Sequence, residues 1–399
     1  MSELIASAPE AALVSAVAEA AASREPVWVQ GNGTKSGMLR PVQAARSLSA
    51  EACAGISLYA PKELIITAGA GTPLPDVEAA LAEHGQHLIA EPPDLSWLMA
   101  PSERVQTLGG VVATNLSGPR RVAWGAMRDH VMGIRAVTGH GELIHSGGRV
   151  LKNVTGLDLC KLLTGSHGTL GIITEVTLKV LPAPEAAGTI VLPGCDAQAG
   201  VATLSAALGS PFGVSGAAWL PAEAAARVPA LTPFGSSVAL VRVEDFASSV
   251  AYRTERLRQQ LGRSAEILGN TTSRQVWRAV RDAVPLGAEP EDAVWRVSVR
   301  PSRGPGVLAA MPAGSGFLDW GGGLVWLRGP ANETTHEAVC AATRAAGGTW
   351  TLLRAPEALR AAVPVIPPEP EPLARITRRV KHAMDPFGIL NPGRLYAGL

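Results

Sequence analysis

Three short segments hold the residues best suited to gripping a ligand. Gly31-Asn32-Gly33-Thr34-Lys35-Ser36-Gly37 follows the apolar run Val27-Trp28-Val29, and a glycine turn after a strand offers unhindered backbone N–H groups to phosphate oxygens. The spacing is not that of a Walker A loop. Nor is it a good dinucleotide fingerprint, because the third glycine comes one position late and Met38-Leu39-Arg40-Pro41 does not open a helix. The second segment, Thr107 to Gly118, pairs Gly109 with Gly110, so that a ligand can approach the backbone closely. It adds small donors and acceptors at Thr114, Asn115 and Ser117. The third, Gly165-Ser166-His167-Gly168-Thr169-Leu170-Gly171-Ile172-Ile173-Thr174-Glu175, repeats glycine just ahead of a strand. That pattern suits a chain passing the edge of a flat ring. Taken singly, each segment reads equally well as a tight turn or a packed loop.

Other chemistry-bearing residues are more scattered. His84 and His87 lack a third ligand nearby and read as solvated histidines at a helix end, while His130 and His145 read as structural. Cys53, Cys160, Cys195 and Cys340 have no zinc or iron–sulfur spacing, so no metal site is expected. They fit buried thiols in a reducing compartment. Arg120 and Arg121 suit a carboxylate, a phosphate or a partner protein. Lys152 is a loop cation that either faces a ligand or simply lies at the surface. Arg394 reads as a structural anchor.

The elements that must position these residues alternate between strand and helix. Leu64 to Ala68 reads as a strand, and Pro75 to just before Gly85 as a helix with Val77, Ala80 and Leu81 on one face. Pro92 to Gly125 is rich in Gly, Pro, Ser and Thr and reads mostly as loop. Gly133 to Ser146 reads as a hairpin, and Ile173 to Val180 alternates as a half-buried strand. Pro182-Ala183-Pro184 marks a boundary. Beyond it come strands at Ser237 to Val243 and Trp295 to Val299 and a helix at Tyr252 to Leu261, with a single histidine, His336, between Ala186 and Arg360. Pro364 to Pro372 is a stiff linker into a last helix, Leu373 to Met384. The expected organisation is α+β: residues 1–184, a smaller second domain at 185–363, and a tail at 364–399 that packs back on the first.

Bulk properties narrow the function classes. The 399 residues carry 35 Lys+Arg against 34 Asp+Glu, a net charge of +1, which gives no basic face for nucleic acid. At 47% hydrophobic residues the chain can bury a sizeable core. No apolar run is long enough to span a bilayer. The expectation is a cytoplasmic protein that reaches a membrane only peripherally, through a partner.

Taken in order, the three segments resemble the FAD-binding domain of the vanillyl-alcohol oxidase-like, PCMH-type flavoproteins. The likeness covers about the first half of the chain plus the tail Asp385 to Arg394. Within that group it is nearest to the FAD-binding subunits of bacterial glycolate oxidases. It rests there on Glu91-Pro92-Pro93, Ser117-Gly118-Pro119-Arg120-Arg121, Arg128-Asp129, Gly147-Gly148, Lys152-Asn153-Val154-Thr155-Gly156 and Ile389-Leu390-Asn391-Pro392-Gly393-Arg394. It departs at Leu157, where relatives often have Tyr, and at His167, where they vary or carry an acid.

The resemblance implies roles. Gly31, Asn32, Gly33, Thr34 and Lys35 would hold the FAD pyrophosphate through backbone amides. Gly109, Gly110, Thr114, Ser117 and Gly118 would line the ribityl and pyrophosphate path. Gly168, Gly171 and Ile173 would lie along the adenine or flavin, with Asn391 near the isoalloxazine and Lys152 beside the reduced ring. The first loop has no histidine for covalent attachment, so a dissociable FAD is expected.

The implied reaction is oxidation of a small 2-hydroxy acid, glycolate to glyoxylate, within a complex. The implied partners are a second FAD-containing subunit carrying the substrate histidines and an iron–sulfur subunit. Such a reaction needs a base, a cation for the carboxylate and a hydride acceptor. No base stands out here, which favours an electron-transferring role. A self-sufficient D-lactate or 2-hydroxy-acid dehydrogenase and a non-catalytic assembly subunit remain as alternatives.

Overall fold

The computed structural model describes residues 5–99, 104–148, 157–262, 264–312 and 316–399. Its strands fall into two large antiparallel sheets. The N-terminal part carries β1 (Val27–Gln30), β2 (Arg46–Ser49), β3 (Ile56–Ala60), β4 (Ile65–Gly69), β5 (Gln86–His87), β6 (Val131–Val137), β7 (Leu143–Gly147), β8 (Ile172–Lys179) and β9 (Leu181–Pro182). Of these, β3-β4-β8-β6-β7 form a five-stranded sheet, while β1 pairs in parallel with β2. The second part carries β10 (Ala186–Pro193), β11 (Val214–Leu220), β12 (Val238–Asp245), β13 (Glu266–Leu268), β14 (Asp292–Ser298), β15 (Gly316–Asp319), β16 (Leu324–Pro330) and β17 (Thr349–Arg354). These run in the order β13-β10-β12-β11-β15-β16-β14-β17.

Alternation explains the first sheet. In β8, Ile172, Val176 and Leu178 are buried against the helix Leu108–Thr114, whose Leu108, Val111 and Val112 have no exposed surface. The strands of the second sheet read as near-continuous apolar runs (Val238 to Val241 are fully buried) because helices cover them. Each sheet therefore has its own core, the mark of two packed units.

The glycine-rich stretch after Pro92 departs from the expected loop. It contains the helices Ser96–Met99, Leu108–Thr114 and Arg121–Trp124. Local caps outweigh the low helix propensity of the Gly109-Gly110 pair. Thr107 accepts the Gly110 N–H at 3.3 Å, and Asn115 ends the helix in the left-handed region at φ 50°. Gly109 is needed because its helix lies on the backbone of Ala70: an added Cβ would sit 2.6 Å from the Ala70 Cβ.

The tail returns to the first unit. Val27 N–H donates to the Ile389 carbonyl at 2.8 Å, and Asn391 N–H donates to the Val27 carbonyl at 3.1 Å, so Leu390 lies parallel beside β1. The helix Glu371–Met384 anchors this return through Lys381. Its ammonium reaches Asp385 Oδ2 at 2.7 Å, the Thr169 carbonyl at 2.8 Å and the Leu390 carbonyl at 2.9 Å. A buried cation with three oxygen partners is satisfied, so the pair acts as a staple rather than a liability.

Candidate functional site

β1, the helix Leu108–Thr114, the loop before β8 and the returning tail surround one cleft. It is open to solvent, and the space within its rim, open solvent included, is about 770 Å³. Gly31, Asn32, Gly33, Thr34 and Lys35 line it, as do Gly109, Gly110 and Thr114, and then Gly168, Gly171, Ile173 and Asn391. Ser117 and Gly118 do not. The Ser117 hydroxyl is buried and accepts the Met127 N–H at 2.8 Å, and the Gly118 carbonyl accepts the Trp320 indole N–H at 3.1 Å. Both turn toward the second unit because Asn115 ends the helix and redirects the chain. Lys152 lies outside the described residues.

The wall of this cleft is chiefly backbone. The N–H groups of Asn32, Gly33, Thr34 and Lys35 donate to no protein acceptor among the described residues. Asn32 Nδ2 donates to the Val105 carbonyl at 3.0 Å, but its Oδ1 is buried without a partner. The Lys35 ammonium reaches Gln106 Oε1 at 2.9 Å and Thr34 Oγ1 at 3.5 Å, with no carboxylate in ion-pair range. Burial pushes it down to about 8, and distant Asp94 pulls the other way. A run of free amides and an unpaired ammonium suit a diphosphate, and an orphaned acceptor suits a hydroxyl. These residues fit FAD.

Asn391 ties three walls together. Its Oδ1 accepts the Val29 N–H at 2.7 Å, while its Nδ2 donates to the carbonyls of His167 at 2.8 Å and Val29 at 3.2 Å. Gly168 sits against it at φ +73°, where a Cβ would lie 2.7 Å from Asn391 Nδ2. Arg394 holds the first loop from behind, donating to the carbonyls of Arg40 at 2.9 Å and Lys35 at 3.0 Å. His167, a departure from the resemblance, lines the cleft, and burial with Arg394 nearby pushes its imidazole down to about 3. It is neutral at ordinary pH.

Arg120 is not available to a substrate carboxylate. It forms a buried ion cluster with Glu244 at 2.7 Å, and Arg242 pairs bidentately with Glu91 at 2.8 Å on each oxygen. For both glutamates burial is outweighed by the two arginines, which hold the carboxyls below the usual range. His87 belongs here too, correcting its reading as a solvated helix-end residue. It lies in β5, with Nδ1 2.9 Å from Arg120 Nη1, and burial together with the Arg120 charge pushes it down to about 4. The cluster joins His87, Glu91 and Arg120 of the first unit to β12 of the second, and no spacing in the chain announces it.

Arg121 stands apart from this cluster, beside the Trp320 indole. Asp319, at the end of β15, was also not foreseen. Burial raises its carboxyl to about 7, against the Trp320 N–H and Arg242. His336 is engaged in packing, with Nδ1 accepting the Trp295 indole N–H at 3.1 Å and Nε2 3.3 Å from Cys340 Sγ. Among the described residues no group of His, Cys, Asp or Glu side chains could hold a metal ion. No helix among them is long and apolar enough to cross a membrane.

A two-sheet fold around a glycine-walled cleft whose free amides suit a diphosphate defines the class: an FAD-binding flavoprotein of the vanillyl-alcohol oxidase type. A family model described as an FAD binding domain matches residues 4–147. The chain is 34% identical over 389 residues, 97% of each chain, to glycolate oxidase subunit GlcE of Escherichia coli (strain K12), and it belongs to that family of glycolate oxidase subunits. It is also 35% identical to D-lactate dehydrogenase of Archaeoglobus fulgidus over 39% of this chain and 33% of that protein. A solved alkyldihydroxyacetonephosphate synthase shares the fold, with a TM-score of 0.68 at 15% identity over 95% of this chain and 75% of that one.

Proposed function

We propose that this chain is the FAD-binding subunit of a complex that oxidises glycolate to glyoxylate and passes the electrons through flavin to an iron–sulfur partner. The full-length likeness to a glycolate oxidase subunit carries this reading. When bound, FAD supplies a two-electron acceptor. The chain's own residues supply the grip. The amides of Asn32 to Lys35 take the diphosphate, the Lys35 ammonium offsets its charge, and Asn391 holds β1 against the loop at His167 and Gly168.

The division of labour follows from side chains already engaged. Arg120 is paired with Glu244, and His336, the single histidine between Ala186 and Arg360, is engaged with Trp295 and Cys340. Proton abstraction is therefore assigned to a second flavin-containing subunit, and this chain carries electrons. The test is a dye-linked glycolate assay on the purified FAD-loaded chain and on the chain co-purified with its partners. Turnover is expected only in the second. Turnover by the chain alone would favour a self-sufficient 2-hydroxy-acid dehydrogenase.

A further inference from the structure

The seam between the two units holds four arginines with different company. Arg120 and Arg242 each have carboxylates in contact, so their charges cancel against Glu91 and Glu244. Arg121 and Arg296 do not. Both stack on the Trp320 indole, their guanidinium carbons 4.4 Å and 4.8 Å from the ring centroid. Neither has an ion pair within 4.0 Å among the described residues. Arg296 also lies over the Trp326 ring, 5.8 Å from its centroid; its hydrogen bond among the described residues reaches the Ser117 carbonyl, at 3.5 Å, and its Nε is buried with no partner.

Two like charges on one indole are costly to hold, and the second is recessed as well. Burial, with Arg121 adding to it, pushes Arg296 down to about 10. Cation–π contact offsets part of that cost. The planar donors still lack a carboxylate among the described residues. Other charges face the pair at longer range: Asp319 from β15 acts on Arg296, while Asp129 and Arg128, of opposite sign, act on Arg121. Asp319 is itself engaged, its Oδ1 accepting the Trp320 N–H at 2.7 Å.

The indole is rigidly placed. Trp320 is 9% exposed, adopts φ +52°, and donates to the Gly118 carbonyl. Ser117 and Gly118 continue the chain out of the cofactor cleft from Thr114.

We propose that the Arg121–Trp320–Arg296 stack is a seat for the carboxylate of a small organic acid. Carboxylates match guanidinium donors bidentately, and the buried Arg296 Nε is a donor still without an acceptor. The choice of acid, glycolate or its oxidised product, rests on the proposed function; the anion seat rests on the geometry alone. The seat binds its ligand without turnover, so the chain would register the reactant pool while a partner performs the oxidation.

Isothermal titration calorimetry of the full-length chain with glycolate, glyoxylate and oxalate tests this, with neutral glycolamide as control. Saturable heat is expected for the acids and none for glycolamide. Arg296→Met and Arg121→Met should each weaken binding ten-fold or more, with Arg296→Lys intermediate and FAD content and thermal midpoint close to wild type. Undiminished binding in both Met variants overturns the proposal, as does absence of acid heat in the wild type. Loss of a co-purifying partner in the Met variants, with no acid heat in the wild type, would instead make the stack a protein contact. Calorimetry does not depend on flavin, so Arg296-dependent binding in a chain that holds no FAD would sink the cofactor reading and leave the seat standing.

Discussion

The cofactor cleft and the seam between the two sheets hold charge in opposite ways. The cleft uses backbone: free amides from Asn32 to Lys35 and a single ammonium, with glycines keeping the wall thin. The seam uses long side chains that meet from distant places in the chain, Glu91 with Arg242 and Arg120 with Glu244. Backbone donors need no partner of opposite charge, so the cleft can wait for its ligand at little cost. Paired side chains are stable only together. Removing one member of a seam ion pair should therefore cost folding, whereas removing a residue from the cleft should cost cofactor.

The largest effect should come from Arg242→Met, which leaves Glu91 buried without its bidentate partner. Loss of one member of a buried pair costs about 3–5 kcal/mol, to be read as a lower urea midpoint. The molecules that remain folded should still hold FAD. Asn391→Ala comes next. It deletes three hydrogen bonds at the cleft, worth about 1 kcal/mol each. Flavin absorbance per chain after gel filtration should fall several-fold, with a smaller loss of stability than in Arg242→Met. If Asn391→Ala unfolded the chain while Arg242→Met only emptied it of flavin, the contrast between the regions would be reversed.

Gly109→Ala should fall below both. A Cβ there meets the Ala70 Cβ and carbonyl, and such overpacking costs about 1–3 kcal/mol. Because that helix lines the cleft, FAD affinity should fall along with the thermal midpoint.

The smallest net effect is in the pH dependence of the intact chain, where two seam residues oppose each other. His87 folds with a value of about 4 against 6.5, so the unfolded chain binds more protons and stability is lost as pH falls from about 6.5 to about 4. Asp319 folds with a value of about 7 against 3.8, so the native chain holds the extra proton and stability is lost as pH rises from about 4 to about 7. Each slope reaches at most about 1.4 kcal/mol per pH unit. His87→Gln should leave stability falling with pH across that window, and Asp319→Asn should leave it rising. Urea melts from pH 4 to 7.5 distinguish them; unchanged profiles in both would remove these residues from the account.

The same contrast decides what was legible in the sequence. Glycine spacing reports backbone geometry directly, so Gly31 to Lys35, Gly109-Gly110 and Gly168 could be singled out as ligand-facing, and one cleft does collect them. Ser117 and Gly118 were grouped with that cleft because they adjoin it in sequence, but the left-handed turn at Asn115 sends them to the seam. The helix Leu108–Thr114 reads as loop because the stretch is rich in Gly, Pro, Ser and Thr, a composition that hides the caps Thr107 and Asn115. The ion cluster left no local trace: Glu91, Arg120 and Arg242 become neighbours only after two sheets pack. His87 and Asp319 owe their shifted protonation to that same packing and show nothing unusual in the residues beside them.

The tail has one more consequence. Asn391 and Leu390 complete the first unit beside β1, whose Val29 is made 362 residues before Asn391. A ribosome has to pass residue 391 before the strand Val27–Gln30 acquires its neighbour and the cleft its third wall. Flavin colour thus serves as a receipt that the chain has been made as far as residue 391, and a chain stalled or clipped upstream of Asp385 should emerge colourless.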